Sequence, residues 1–197
     1  MKILVTKILI FTLFFSWVKN TISGDAYVRD ACSVTRYQNL CIHSLASFSH
    51  TAKKSPSIWA RAGVSVSIGE AKNVTQYLNR LKKQKSIKGR RNVIALSDCI
   101  ECFGDTLDNL HRSLGILRKL DASEFDVQMG DVTTWLSAAL TDEDTCLDGF
   151  EYDDPDSYTS KQIRGVRFKV SRVTYITSNA LALVNKLAST GLGISIH

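Results

Sequence analysis

The sequence predicts an all-α protein, an antiparallel up-down-up-down four-helix bundle with an N-terminal helical hairpin and two disulfides. Three observations carry this. Beyond residue 24 the only prolines are Pro56 and Pro155, so little interrupts long helices. Four stretches space apolar or small residues by three, four or seven, the period of one helix face. Five cysteines sit in a chain that opens with an export segment, and oxidising compartments keep disulfides.

The export segment is residues 1–24. Lys2 and Lys7 form a positive n-region, Ile8 to Val18 is an eleven-residue apolar run, and Lys19 closes it. A bilayer span takes roughly 18–20 apolar residues, so the run fits a signal peptide instead. Small residues at Thr21, Ser23 and Gly24 suit cleavage just before Asp25 or one residue earlier. Removal deletes three lysines and no carboxylate, lowering the formal charge from +6 to +3. That mild balance argues against a nucleic-acid binder. No second apolar run of membrane length follows, so a secreted protein with no membrane attachment after cleavage is expected. The mature chain, 25–197, suits a single domain, with the hairpin over 25–56 and the bundle over 57–191.

Cys32 and Cys41 bound the hairpin, and a bridge between them would close a small loop, worth roughly 2–3 kcal/mol in the chain-entropy model. Lys53 to Ser57 reads as the linker out, with Ser57 as N-cap of the first bundle helix. Val64-Ser65-Val66-Ser67-Ile68 alternates like a strand. The wider window reads as a helix: Ala60, Val64, Ser67, Ala71, Val74, Leu78 and Leu81 keep the three-four spacing. Lys82 to Arg91 carries six basic residues around Gly89 and reads as a helix end plus loop.

The pattern restarts at Asn92, with Leu96, Cys99, Phe103, Leu107, Leu110, Leu114 and Leu117 on the second stripe. Ser123 caps a third helix whose inward stripe is Val132, Trp135, Ala139, Cys146 and Phe150. Its acidic exit, Asp142 to Asp156, holds eight carboxylates and Pro155 and fits a loop. The fourth helix runs Ile163, Val166, Val170, Val173, Thr177, Ala180, Val184 and Leu187, ended by Gly191 and Gly193.

Cys146 faces inward and needs a partner on a facing stripe. Cys99 lies on one, between Leu96 and Phe103; Cys102 lies at the stripe's edge and is the weaker candidate. In an antiparallel pair the start of the second helix sits beside the end of the third. This pairs Cys99 with Cys146, closes a loop worth roughly 4 kcal/mol in the entropic model, and leaves Cys102 free.

These residues resemble the plant invertase/pectin methylesterase inhibitor family along essentially the whole mature chain. The resemblance rests on the Cys32/Cys41 pair, on Ala95-Leu96-Ser97-Asp98-Cys99-Ile100-Glu101, and on Trp135-Leu136-Ser137-Ala138-Ala139-Leu140 with Thr145-Cys146-Leu147-Asp148-Gly149-Phe150. It implies a four-helix bundle with an N-terminal hairpin, the first two cysteines paired, and Cys99 paired with Cys146. Cys102 is then an extra, free cysteine. Family members act in the cell wall and block the substrate cleft of a pectin methylesterase or an acid invertase in a reversible complex. With nothing catalytic after His197, the chain is expected to be a stand-alone inhibitor in the apoplast, with pectin methylesterase as partner. Acid invertase is the alternative target. The Pro-Lys-Phe element common in invertase inhibitors is absent, since Pro56 precedes Ser57 and Pro155 precedes Asp156. A secreted helical ligand for a receptor is a third reading.

Enzyme signatures are missing. His43, His50, His111 and His197 form no HExxH, and there is no nucleophile elbow or P-loop. Asp144, Cys146, Asp148 and Gly149 mimic half an EF-hand, but a cysteine holds the third position and Pro155 the twelfth. No cofactor or metal is expected. The basic run Lys82 to Arg91 reads mainly as a helix C-terminus favoured by the dipole, with a weak pectate contact as the functional reading. Asn73-Val74-Thr75 is the one glycosylation sequon of the mature chain, and Asn73 falls off the apolar stripe.

Overall fold

The computed structural model describes residues 26–150 and 161–192. The export segment, the acidic exit beyond Phe150 with Pro155, Gly193 and His197 lie outside the described residues. A short helix over 26–32 (α1) is followed by α2 (Gln38–Leu45), a 3-10 turn (Ala46–Phe48) and α3 (Ser49–Ala52). Four long helices come next: α4 (Pro56–Lys83), α5 (Arg90–Leu117), α6 (Phe125–Asp148) and α7 (Lys161–Thr190). They form a closed ring, α5 on α6, α6 on α7, α7 on α4 and α4 on α5, as in an antiparallel bundle with short connections. No described helix is long and apolar enough to cross a membrane.

α4 shows why the strand-like Val64–Ile68 segment is helical. Ala60, Val64, Ser67, Ala71, Val74, Leu78 and Leu81 are all buried, so the three-four period across the whole helix outweighs a local alternation. Its cap is Ser55, not Ser57: the Ser55 hydroxyl accepts from Ile58 N–H at 3.4 Å. Pro56, with φ preset and no N–H to orphan, takes the first helical position. Gly63 lets α4 approach α7, since a Cβ there would lie 3.2 Å from the Ala180 Cα. Lys85 and Gly89 turn the chain at positive φ into α5. α5 starts at Arg90, two residues before the expected Asn92.

α6 departs most from expectation. Ser123 does not cap it; its N–H and hydroxyl both donate to Asp121, at 2.7 and 2.5 Å, and the cap position falls to Glu124 without a side-chain bond. The helix runs through Asp148, so the first part of the acidic exit is helical and not loop. The inward stripe is Met129, Val132, Leu136, Ala139, Glu143, Cys146 and Phe150. Leu136 replaces Trp135: both satisfy the spacing between Val132 and Ala139, and the bulkier indole stays half-buried at the edge. On α5, Thr106 is buried where Leu107 was expected, and Leu107 is half-buried.

The structure bridges Cys99 to Cys146 with Cα atoms 4.4 Å apart, and Cys32 to Cys41 at 5.8 Å. The second bridge sits in a small core with Val28, Leu45, Trp59 and Leu183, which fastens the hairpin to α4 and α7. Asn179 of α7 completes the attachment by accepting from the Tyr37 N–H at 3.1 Å and donating to its carbonyl at 3.0 Å.

Each bundle helix buries a polar side chain completely: Ser67, Thr106, Glu143 and Thr177. Glu143 accepts from the Thr177 hydroxyl at 2.8 Å through Oε1, while Glu143 Oε2 and Thr106 Oγ1 have no partner among the described residues. Burial pushes the Glu143 carboxyl up to about 8, against the opposing pull of the hydrogen bond from Thr177. The group therefore folds as a neutral acid.

Two outcomes are expected. Replacing Cys99 and Cys146 by Ala removes about 4 kcal/mol in the entropic model and lowers the melting temperature by roughly 8–16 °C, measured by calorimetry. The folded chain binds the Glu143 proton more tightly than the unfolded chain does. Stability is thus full below the ordinary 4.5 and falls as pH rises towards about 8. In Glu143→Gln this loss is absent from melting curves taken across the same window.

Candidate functional site

The described histidines His43, His50 and His111 are all exposed, and the ring of His111 donates from Nδ1 to the Leu107 carbonyl at 2.6 Å. No group of three or more His, Cys, Asp or Glu among the described residues is placed to hold a metal ion. The EF-hand mimic at Asp144 to Asp148 is regular helix with Cys146 locked in its bridge, so it cannot wrap a cation. What the surface offers is two faces of opposite charge.

The acidic face is built by α5 and α6. On α5, Asp98, Glu101, Asp105 and Asp108 recur at spacings of three, four and three, and all are exposed. The cations of α5, Arg90, Arg91 and Arg112, lie outside this row towards its ends. α6 carries Asp126, Asp131, Asp142, Glu143, Asp144 and Asp148 with no Lys or Arg. Among the described residues none of the carboxylates of the α5 row, nor Asp142, makes an ion pair. Asn109 donates to Asp142 across the seam at 3.3 Å. Burial and then the Asp105 charge hold the Asp142 carboxyl above its usual range, against the pull of Asn109. The seam thus holds a partly desolvated carboxylate near a second acid, a setting that favours a cationic partner. Beside it, Thr134, Ser137, Thr141 and Thr145 line α6 as exposed hydroxyls, each bonded back to the carbonyl four residues earlier. Short side chains tied to their own helix let a partner's backbone come close.

The basic face is built by α4 and α7. α7 carries Lys161, Arg164, Arg167, Lys169, Arg172 and Lys186 and no carboxylate. α4 has Arg61, Lys72, Arg80, Lys82 and Lys83 against Glu70 alone. Leu40 of the hairpin, with Arg167, Phe168, Ser171, Arg172 and Tyr175, lines a groove of about 370 Å³ on this side.

The five cysteines divide between scaffold and surface. The four bridged cysteines are buried and hold the frame. Cys102 is free and half-buried at the α5–α6 seam. Burial first, then Asp142, Asp105 and Asp98, raise its thiol above the ordinary 9.0, against a backbone hydrogen bond that lowers it, so it is a poor nucleophile. Asn73 is exposed on α4. Neither face was recognised in the sequence. The three-four spacing of the α5 carboxylates and the absence of acids from α7 were the available signals.

A family model described as plant invertase/pectin methylesterase inhibitor matches residues 26–183. Pectinesterase inhibitor 6 of Arabidopsis thaliana is 52% identical over 168 residues, covering 85% of this chain and 78% of that protein. Pectinesterase inhibitor 9 of the same plant is 36% identical, covering 86% and 84%, and a 21 kDa protein of Daucus carota is 36% identical, covering 84% and 86%. A crystal structure of a pectin methylesterase inhibitor from Arabidopsis thaliana superimposes with a TM-score of 0.56 at 18% identity. It covers 80% of this chain and 94% of that one, and shares the fold.

The seam's field can be read through Cys102. Under non-reducing conditions, iodoacetamide should alkylate it more slowly than a peptide cysteine at the same pH. Asp142→Asn should raise the rate, because a negative neighbour of the thiolate is gone.

Proposed function

The chain belongs to the plant invertase/pectin methylesterase inhibitor family, and from that premise we propose that it inhibits pectin methylesterase by laying its α5–α6 face over the enzyme's substrate cleft. It is an inhibitor and not an enzyme. The observation that carries the choice of face is the carboxylate row Asp98, Glu101, Asp105 and Asp108, without an ion pair among the described residues. The enzyme's substrate is a chain of uronic acids and their esters. A cleft shaped for that chain must receive carboxylates, and a rigid row of them competes for the same groups. The Cys99–Cys146 bridge holds the two helices that form the face in one arrangement, which lowers the ordering cost of binding. An interface of standard size, roughly 1,600 Å² in total, fits across two long helices.

The remaining features fit an exported wall protein. Residues 1–24 act as the signal peptide and the mature chain is secreted to the apoplast. Asn73 carries a glycan on α4, off the α5–α6 seam. A weak pectate contact at Lys82 to Arg91 has exposed cations to draw on, at the end of α4, in the connecting loop and at the start of α5.

The test is an inhibition assay with pectin methylesterase and acid invertase side by side. Native protein should inhibit the first and spare the second. The double change Asp98→Lys with Asp105→Lys should weaken inhibition at least tenfold, about 1.4 kcal/mol, with helicity unchanged. Pectin methylesterase left fully active at every pH from about 4 to 7 would refute the function. Unaltered inhibition by the double variant would refute the face.

A further inference from the structure

We propose that the outer face of α7, from Lys161 to Tyr175, is a second binding site whose ligand is a de-esterified polyuronate chain, the product of the enzyme that the opposite face inhibits. This rests on the reading of the protein as a pectin methylesterase inhibitor.

Lys161, Arg164, Phe168, Arg172 and Tyr175 are spaced by three, four, four and three, so they form one line along the helix. At 1.5 Å per residue the line is about 21 Å long. It presents cation, cation, ring, cation, ring. Phe168 is 72% exposed and Tyr175 40% exposed, so both rings are open to a ligand lying along the line. Tyr175 does not swing freely, because its ring stacks on Tyr37 of the hairpin with centroids 4.1 Å apart. The Arg36 guanidinium sits 5.6 Å from the Tyr37 centroid and extends the track with another cation. Arg167 is anchored by donating to the Phe150 carbonyl at 3.2 Å.

The chemistry selects an acidic sugar polymer. Flat rings offer stacking faces to the apolar side of a pyranose, as they do to nucleobases. Guanidinium groups bind carboxylates bidentately. The groove of about 370 Å³ beside Phe168, Arg172 and Tyr175 gives a sugar unit a seat between these elements. Among the described residues Glu70 meets this line 4.0 Å from Arg172, in a pair whose arginine side chain is still 48% exposed. Exposed pairs of this kind are weak and exchange readily. The basic run Lys82 to Arg91 has comparable charge but contains no aromatic residue, so it lacks the stacking half of such a site. The inhibitor could then stay on the wall polymer through α7 while α5 and α6 engage the enzyme.

Calorimetric titration of the purified native protein with oligogalacturonate of about ten units is the test. Binding is expected, with no heat from the fully methyl-esterified oligomer. Phe168→Ala and Arg172→Gln should each reduce affinity at least fivefold, whereas Lys82→Glu with Lys83→Glu should change it less than twofold. Inhibition of pectin methylesterase should be unchanged in Phe168→Ala. Native binding without any inhibition would support the site while removing the functional reading. Equal binding of the esterified oligomer, full affinity in Phe168→Ala, or a larger loss from the Lys82/Lys83 variant would overturn it. Loss of inhibition in Phe168→Ala would also overturn it, by assigning the face to the enzyme.

Discussion

One covalent tether, Cys99 to Cys146, brings the start of α5 against the end of α6 and sets the level of every residue between them. With that end pinned, Phe103 and Thr106 of α5 and Glu143 and Ala139 of α6 follow as successive inward layers. The outward rows are set by the same register. Asp105 falls near Asp142, and Asp98, Asp105 and Asp142 all bear on the Cys102 thiol between the two helices.

The ring order of the helices turns this local constraint into a division of the whole surface. α5 and α6 are neighbours and carry the acids; α4 and α7 are neighbours and carry the cations. A small net charge therefore conceals two opposed charge fields. The hairpin docks on the basic half through Asn179, Trp59 and Leu183, and its Tyr37 braces Tyr175. Among the described residues the hairpin's main contacts are with α4 and α7 and not with the acidic half.

Much of the fold was legible because burial repeats with the helical period. The stripes of α4 and α7 are buried at every expected position, and the Cys99–Cys146 pair follows from stripe and level. The misreadings share one cause: residue type was allowed to decide what geometry decides. Glu143 occupies a core position that spacing alone would have assigned to it, but a carboxylate there is readable only with the neighbours that exclude water in view. The run of acids from Asp142 looked like loop, though helix geometry sends one of them inward and the rest outward. Trp135 and Leu136 fit the spacing equally well, and only packing separates them. The charge faces needed helix adjacency, which no single helix contains.

Carbodiimide labelling of carboxylates, with and without bound pectin methylesterase, tests the central claim most directly. The account predicts that Asp98, Glu101, Asp105 and Asp108 lose their labelling in the complex, while Asp30 and Glu70 on the hairpin and α4 side keep theirs. Protection of Asp30 and Glu70 with the α5 row still reactive would contradict it.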